Sequence, residues 1–241
     1  MILLRAGNAS EWTGPTGNNT YLFPGSPSIL IDAGIGRAEH VNAIGGALAG
    51  APLDLVLITH HHIDHVAGVP ALVERWPGVV VRGGPGEALR DGEVFTIVGL
   101  ASLVALATPG HAADHFCFLD EGSRELYCGD LVRLGGTVVI PASRGGDLRA
   151  YLASLERVRD LRPSRLLPAH GEVIEDPARL IEAYIEHRAE RDRQVLSALA
   201  AGCATADDIV ARIYPGISDA LRPAAADTVL AHLRKNRGQA P

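Results

Sequence analysis

Short apolar runs alternate with amphipathic helical patterns along most of the chain. Apolar runs bounded by glycine, proline or polar residues are typical of buried strands. Residues 116–130 predict a hairpin with EGSR as its turn. The alternation of strands with helices indicates an α/β protein. The other predicted strands lie within residues 28–34, 53–60, 79–83, 93–99, 102–111 and 164–171.

Two longer segments combine helical periodicity with recognisable start signals. Residues 147–161 place a series of apolar side chains on one helical face, and Asp147 precedes them as the expected N-cap. Asp176 and Pro177 predict the start of a second helix, because proline suits the first helical turn. Gly202 is expected to end this helix.

The last part of the chain contains helical patterns alone. The sequence TADD at residues 205–208 has the form of a capping box, and Ser218 is expected to cap a final helix. The chain is therefore predicted to divide near residue 190, with strands and helices before this point and helices after it.

The composition fits a globular protein with a sizeable core. Of the 241 residues, 47% are hydrophobic and 21% are charged, which suits one large domain or one domain with a small appendage. The formal net charge of -6 argues against a strongly basic nucleic-acid binder and leaves a local basic patch open.

The cysteine content and the apolar runs bear on the compartment. Cys117, Cys128 and Cys203 have no framework spacing, which favours a reducing environment. The N-terminal sequence does not have the form of a signal peptide, and no apolar run reaches the roughly 18 residues of a membrane span. A cytoplasmic location without membrane association is therefore expected.

The stretch THHHIDH at residues 59–65 concentrates metal-binding side chains. A solvated histidine cluster would account for this stretch alone. However, it follows a predicted buried strand, and three further candidate ligands also follow predicted strands, where a rigid scaffold displays functional side chains. Nitrogen and oxygen donors without a thiolate suit zinc, with iron or manganese as alternatives. The seven candidate ligands are His60, His62, Asp64, His65, His111, Asp130 and His170.

The spacing of these residues is compatible with two metal ions. In an extended segment, His60 and His62 can point the same way and bind one ion. Asp64 and His65 can turn toward a second ion, and the Asp130 carboxylate could bridge both. Two such ions lie about 3.5–4 Å apart and clamp the attacking and leaving oxygens of a hydrolytic reaction.

The HxHxDH sequence at residues 60–65, with the later candidate ligands in the same order, resembles the metallo-beta-lactamase superfamily. The resemblance implies an αββα four-layer sandwich with its site at one edge of two sheets. It also implies that Asp32, in IDAG, supports the site from behind without binding a metal. The implied ligands are His60, His62 and His111 for a first ion, Asp64, His65 and His170 for a second, and Asp130 as the bridge.

Several segments are most similar to the lactamase-like protein 2 group of this superfamily. They are GNNTYLF (17–23), TPGHAADHF (108–116), the GGT after Asp130, and YIEHRAERDRQVL (184–196). The helical tail resembles the small winged-helix-like C-terminal domain of this group. The resemblance therefore predicts a catalytic domain at residues 1–187 and a C-terminal domain at residues 188–241.

The resemblance also implies a mechanism. The group includes a single-stranded RNA endonuclease and thioesterases that release polyketides. In both cases a hydroxide that bridges two metal ions, most simply zinc, would attack a carbonyl or phosphoryl centre. Asp64 is the expected catalytic residue, because it would orient this hydroxide. With a bridging aspartate at Asp130, the chain resembles glyoxalase II and RNase Z. This feature argues against a true beta-lactamase.

Three functions remain open at this point. The first is hydrolysis of a small ester or thioester, with glyoxalase II-like or lactonase activity as alternatives. The second is cleavage of single-stranded RNA, which would use a basic surface near the tail although Glu190 and Asp192 interleave with it. The third is a binding role for the tail, which could dock DNA or a protein partner or mediate dimerisation. Packing of the tail against the catalytic domain or a homodimer role is favoured among these. The basic surface would comprise Arg188, Arg191, Arg193, Arg234, Lys235 and Arg237.

The remaining histidines are assigned by their position in the chain. His115 is expected either to support the metal ligands or to face the substrate. His187 and Arg188 either contact the substrate or lie on a solvated helix face. Three histidines are expected to take no part in the site: His61 as a bystander, and His40 and His232 as surface residues.

Overall fold

The computed structural model of the protein describes residues 1–99 and 101–236 and contains two five-stranded sheets. Arg237, from the predicted basic surface, lies outside the described residues. The first sheet has the order β1 (Ile2–Arg5), β2 (Asn19–Phe23), β3 (Ile29–Ile31), β4 (Leu55–Leu57) and β5 (Val80–Arg82). The second has the order β10 (Arg165–Pro168), β9 (Glu125–Gly129), β8 (Phe116–Asp120), β7 (Ala101–Ala107) and β6 (Val94–Ile97).

Helices flank the two sheets. Three of them, α1 (Ala38–Leu48), α2 (Ile63–Val66) and α3 (Val69–Arg75), lie between the strands of the first sheet in the chain. The others are α4 (Leu148–Leu161), α5 (Pro177–Ala200), α6 (Ala206–Ile213) and α7 (Arg222–Asn236). Among the described residues, none of the helices has the length and apolar character needed to cross a membrane.

The two sheets pack face to face, and each has helices on its outer face. Between the sheets, Tyr21 and Phe23 of β2 pack with Phe118 and Tyr127 of the second sheet. Leu22 points to the opposite face of β2, as alternation along a strand requires, and packs with α1 and α3. Helices α4 and α5 cover the outer face of the second sheet in the same way. The predicted αββα four-layer sandwich is confirmed.

The local signals in the sequence are largely confirmed. Every predicted strand is present in its segment, to within one residue. The carboxylate of Asp147 accepts a hydrogen bond from the first turn of α4 at 2.9 Å. Thr205 and Asp208 form the predicted capping box of α6. The prediction for Ser218 is wrong, because Ser218 begins a turn and α7 starts only at Arg222.

The helical tail packs against the rest of the protein. The carboxylate of Asp227 on α7 accepts hydrogen bonds from the main-chain N–H and the hydroxyl of Ser143, at 2.9 and 2.8 Å. Nε of Arg149 on α4 donates to the carbonyl oxygen of Lys235 at 3.0 Å. The predicted domain boundary after residue 187 lies inside α5, which runs unbroken from the sandwich into the tail.

Two histidines predicted at the surface are buried. His40 is 2% exposed, and its Nε2 is hydrogen-bonded to the hydroxyl of Thr20 at 2.8 Å. His232 is 1% exposed, and its Nδ1 donates to the carboxylate of Asp192 at 3.0 Å. Both surface predictions are wrong because each histidine lies on the apolar face of a helix and finds a polar partner there, and its local sequence contains no sign of that partner.

The burial of His40 predicts a dependence of stability on pH. Burial lowers the pKa of His40 from 6.5 to about 4, so between these values the unfolded chain binds a proton that the folded protein does not. The stabilising contribution is therefore complete above pH 6.5 and is lost as the pH falls to 4. We expect urea denaturation of metal-free His40→Gln to show a pH-dependence in this window that is smaller than that of the wild type by up to about 3 kcal/mol. Identical pH-dependence in the two proteins would contradict this.

Candidate metal centre

The segment after β4 brings the first two histidines together. After β4 ends at Leu57, the chain passes through His60 and His62, where the backbone of His62 is extended, before α2 begins at Ile63. Alternate side chains of an extended segment point the same way. Accordingly, Nε2 of His60 lies 2.9 Å from Nδ1 of His62.

His111 joins these two residues from the loop after β7, and the three form the first ligand group. Nε2 of His111 lies 2.9 Å from Nδ1 of His62. The other ring nitrogen, Nδ1 of His111, donates a hydrogen bond to the carbonyl oxygen of Val139 at 2.8 Å. Because a carbonyl only accepts, the proton of the neutral ring is on Nδ1, and the lone pair of Nε2 faces the group.

Burial keeps the histidines of the first ligand group uncharged at neutral pH. Burial lowers the pKa of His60 well below 6.5 and that of His62 to about 4, and neighbouring histidines act in the same direction. Burial also lowers the pKa of His111, against the opposing effect of the Asp130 carboxylate. Neutral imidazole is the form that binds a metal ion.

Asp64, His65 and His170 form the second ligand group. Oδ2 of Asp64 lies 3.3 Å from Nε2 of His170 and 3.5 Å from Nε2 of His65. Asp64 and His65 come from α2, and His170 comes from the loop that follows β10. The two ends of the predicted motif set therefore meet at one edge of the sandwich.

Asp130, directly after β9, lies between the two ligand groups. Its Oδ1 lies 3.2 Å from Nε2 of His170 and 3.7 Å from Nε2 of His65. Its Oδ2 lies 3.6 Å from Nε2 of His111. One carboxylate oxygen thus faces each group, an arrangement that would suit a ligand shared by two ions.

The second group attracts positive charge. Although burial raises the pKa of Asp64, the hydrogen bond with His170 and the charge of His65 lower it to about 2. Although burial lowers the pKa of His170, the carboxylates of Asp130 and Asp64 raise it to about 9. Two ionised carboxylates in a largely buried place therefore favour a cation between them.

Two ring nitrogens in the second group, Nε2 of His65 and Nδ1 of His170, have no hydrogen-bond partner among the described residues. Nε2 of His65 is buried without a hydrogen bond, and an unsatisfied buried polar atom is unfavourable by about 1–3 kcal/mol. A divalent ion would satisfy both this nitrogen and the carboxylate charge. The residues present therefore fit a metal ion, and the donor set suits zinc, iron or manganese.

Asp32 lies behind His65, where the resemblance predicts it. Its Oδ2 accepts a hydrogen bond from Nδ1 of His65 at 2.8 Å, which leaves Nε2 of the same ring facing the metal ligands. Its Oδ1 accepts from the main-chain N–H of Thr59 at 2.8 Å. Carboxylates in this position fix the tautomer and orientation of a metal-binding histidine.

His115 supports Asp130 and does not face a substrate. It is 1% exposed, and its Nε2 accepts a hydrogen bond from the main-chain N–H of Asp130 at 3.1 Å. Its Nδ1 therefore carries the proton and donates to the hydroxyl of Thr108 at 2.8 Å. Gly129 lies against this ring with φ of 49°, and a Cβ there would be 2.7 Å from Nε2 of His115. Close packing at residue 129 thus fixes the start of the Asp130 loop.

Arg188 is neither a substrate contact nor part of a solvated face. Its side chain is 1% exposed, and Nη2 donates to the hydroxyl of Thr137 at 2.8 Å and to the carbonyl oxygen of Val138. It thereby attaches α5 to the segment whose next carbonyl, that of Val139, holds His111. His187 is half-buried, and burial and the charge of Arg188 lower its pKa. A substrate contact by His187 stays a prediction.

Two features of the site were not expected from the sequence. His61 is exposed, and its Nδ1 is hydrogen-bonded to Oδ1 of Asp114 at 2.7 Å. Asn18, which is buried, donates from Nδ2 to Oδ2 of Asp64 at 3.1 Å. The one available signal was a pair of asparagines at the start of an otherwise apolar run, TYLF, at residues 20–23.

An αββα sandwich with two groups of histidine and aspartate ligands at one edge defines a class of metal-binding proteins. Residues 13–88 and 80–170 match the sequence model of the metallo-beta-lactamase superfamily, and residues 205–235 match the beta-lactamase associated winged helix domain. The chain belongs to the metallo-beta-lactamase superfamily, whose members are generally hydrolases and typically bind metal ions.

Individual relatives agree with this assignment. The beta-lactamase-like protein 2 homolog of Caenorhabditis elegans is 32% identical over 236 residues, which span 91% of this chain and 78% of the relative. The atrochrysone carboxyl ACP thioesterase of Aspergillus chevalieri is 40% identical over 193 residues, which span 76% of this chain and 60% of the relative. The predicted resemblance to the lactamase-like protein 2 group is confirmed.

A solved structure supports the fold over nearly the whole chain. The beta-lactamase domain protein of Burkholderia ambifaria superposes with a TM-score of 0.82 at 22% identity, covering 98% of this chain and 84% of that protein. The match extends through the helical tail. The winged-helix character of the tail, expected from the resemblance, is confirmed by the domain match at residues 205–235.

Proposed function

We propose that the protein is a two-metal hydrolase that cleaves a thioester or ester of an apolar acyl group. The observation that carries this proposal is the position of Asp130, whose two carboxylate oxygens face different ligand groups. The Aspergillus chevalieri relative is a thioesterase, which supports a thioester as the bond that is cleaved.

Each ligand group would hold one ion. When bound, divalent ions supply positive charge that activates a water molecule and stabilises the oxyanion of the attacked carbonyl. Asp32 and the carbonyl of Val139 orient the ring nitrogens that would bind the ions. The first ion would be held by His60, His62 and His111, the second by Asp64, His65 and His170, and Asp130 would contact both.

Asp64 is the side chain best suited to orient the attacking water. It is ionised at neutral pH, because its pKa is lowered to about 2 by His170 and His65 despite its burial. Its side chain is 24% exposed, so part of the carboxylate faces solvent at the site. A carboxylate in this position can accept a hydrogen bond from a water molecule and so direct the lone pair of the water toward a substrate.

Exposed apolar side chains occur in segments that adjoin the candidate ligands in the chain or bond to such segments, and they support an apolar acyl group. Ile63, between the candidate ligands His62 and Asp64, is 73% exposed. Trp12 is 54% exposed, and its carbonyl oxygen accepts a hydrogen bond from Arg133, next to the exposed Leu134. Exposed apolar groups clustered near polar ligands are typical of binding sites for apolar molecules.

The basic residues predicted for RNA binding have intramolecular partners instead. Arg191 lies over the ring of Tyr214 at 4.3 Å, and Arg193 pairs with Glu190. Lys235 pairs with Asp192 at 2.7 Å. Arg188 is buried and Arg234 donates to a main-chain carbonyl, so the described members of this set do not form a positive track toward the ligand groups.

The proposal is tested with a panel of acyl-pantetheine thioesters, lactones and a labelled single-stranded RNA, using metal-loaded protein. We expect thiol release, with kcat/KM higher for large apolar acyl groups than for acetyl. Trp12→Ala is expected to lower kcat/KM by about tenfold or more for the large acyl groups alone, as for a lost apolar contact of roughly 1–3 kcal/mol. Cleavage of RNA without turnover of any thioester or lactone, which is itself an ester, would contradict the proposal.

A further inference from the structure

Two consecutive asparagines at the start of β2 are buried beside the metal ligands. Asn18 is 0% and Asn19 is 2% exposed. Burial of an amide side chain is unfavourable unless its polar atoms are hydrogen-bonded. Because neighbouring side chains at a strand point to opposite sides, the two amides reach different partners.

The amide of Asn18 is oriented toward Asp64. Nδ2 of Asn18 donates to Oδ2 of Asp64 at 3.1 Å, the same oxygen that lies near His170 and His65. A carboxylate only accepts, so this contact fixes which end of the amide faces the site. Oδ1 of Asn18 in turn accepts from Nδ2 of Asn8 at 2.6 Å.

Asn8 holds Asn18 with both ends of its own amide. Besides the donation from Nδ2, Oδ1 of Asn8 accepts a hydrogen bond from the main-chain N–H of Asn18 at 2.9 Å. Gly17 allows this approach, since it has φ of 70° and a Cβ there would lie 2.6 Å from Oδ1 of Asn8. The N-terminal loop is thus shaped to hold the amide of Asn18 still.

Asn19 holds the loop that carries His170. Nδ2 of Asn19 donates to the carbonyl oxygens of Pro168 and Gly171, at 2.8 and 2.9 Å. Its main-chain N–H donates to the carbonyl oxygen of Ala169 at 2.7 Å. Three hydrogen bonds from one residue therefore fix the backbone on both sides of His170.

Where the two asparagines contact a ligand group or its backbone, that group is the second one. Asn18 touches Asp64, and Asn19 holds the backbone around His170, while the third member, His65, is held by Asp32. The orientation of the first group has another source, because His111 is held by the carbonyl of Val139.

We propose that Asn18 is a positioning residue that sets the affinity for the second divalent ion independently of the first. This inference rests on the proposed two-metal function. The asparagines hold Asp64 and His170 in place before an ion arrives, so binding does not have to order these side chains. Residues that orient ligands in this way typically change metal affinity by about 10–100-fold.

The test is a zinc titration of metal-free protein, with a competing chromophoric chelator, for the wild type, Asn18→Ala and Asn8→Ala. For Asn18→Ala we expect the affinity for the second zinc equivalent to fall about 10–100-fold. For Asn8→Ala we expect a smaller fall in the same affinity. In both variants the affinity for the first equivalent should stay within about threefold of the wild type. Asn8→Ala alters a partly exposed loop residue that touches no ligand, so it keeps the test valid if Asn18→Ala does not fold.

The matched control is Ser28→Ala, which removes a buried hydroxyl from the same sheet. Ser28 is 1% exposed and its hydroxyl donates to the carbonyl oxygen of Pro52 at 2.7 Å, away from the site. We expect Ser28→Ala to lower the Tm and to leave both zinc affinities unchanged. The inference would be overturned if the second zinc equivalent bound normally to Asn18→Ala and Asn8→Ala. It would also be overturned if zinc affinity fell in proportion to Tm in all variants, Ser28→Ala included. Either result would leave the two-metal proposal standing. A wild-type protein that binds one equivalent would overturn the inference and the two-metal proposal together.

Discussion

Asp130→Asn is expected to reduce kcat for thioester hydrolysis by about a thousandfold or more, beyond the 10–100-fold typical of residues that only orient ligands. The carboxylate presents Oδ1 to His170 at 3.2 Å and Oδ2 to His111 at 3.6 Å, so both groups share its charge. An amide is neutral, and its nitrogen offers N–H groups to one of the two ion positions. The rate of thiol release and the zinc content per chain measure the two consequences.

The control for this change is Asp114→Asn. Asp114 lies near the same site, but its carboxylate pairs with the exposed His61 and with no candidate ligand among the described contacts. We expect the control to retain kcat within about threefold and to keep its full zinc content. An Asp130→Asn protein with more than a tenth of wild-type kcat would rule out the bridging role of Asp130.

Asp32→Ala is expected to lower the free energy of unfolding of the metal-free protein by about 3–5 kcal/mol, the range for breaking a buried charged pair. Asp32 is 2% exposed and accepts hydrogen bonds from Nδ1 of His65 and from the main-chain N–H of Thr59. Alanine would remove the partner of the Thr59 N–H and would leave Nδ1 of His65 with only the Thr59 hydroxyl at 3.3 Å. It would also place a non-polar side chain at φ of 61°, where aspartate is better tolerated.

Asp32→Asn separates the charge from the other effects. Asparagine keeps one carbonyl acceptor and tolerates the left-handed backbone conformation, so we expect a loss of about 1–2 kcal/mol. Urea denaturation at neutral pH measures both variants. If Asp32→Ala were within about 0.5 kcal/mol of the wild type, as surface substitutions usually are, the supporting role of Asp32 would be wrong.

The convergence of the candidate metal ligands could be predicted from the sequence because their positions follow from local patterns. His60 comes after an apolar run that forms β4, and Asp130 and His170 come after β9 and β10. Strand ends from both sheets meet at one edge of a sandwich, so residues far apart in the chain converge there. The alternation of His60 and His62 in an extended segment also fixed their common direction.

The supporting residues could not be predicted, because their partners are distant in the chain. Asn18 is 46 residues from Asp64, and Arg188 is 50 residues from Val138. A helix pattern does not distinguish an arginine that reaches solvent from one that is buried among carbonyl groups. The strands β1 and β2 were not predicted from the sequence. In β2 the polar residues Asn19 and Thr20 precede a run of only three apolar residues, although all five positions are buried.

The most direct test of the two-metal hydrolase is a titration of metal-free protein with zinc, in which the initial rate of thiol release from an apolar acyl-pantetheine thioester is recorded at each addition. We predict no turnover without metal and a rate that rises until two equivalents per chain are bound and then stays constant. Full turnover by the metal-free protein, or none on thioesters and esters with two equivalents bound, would contradict the account.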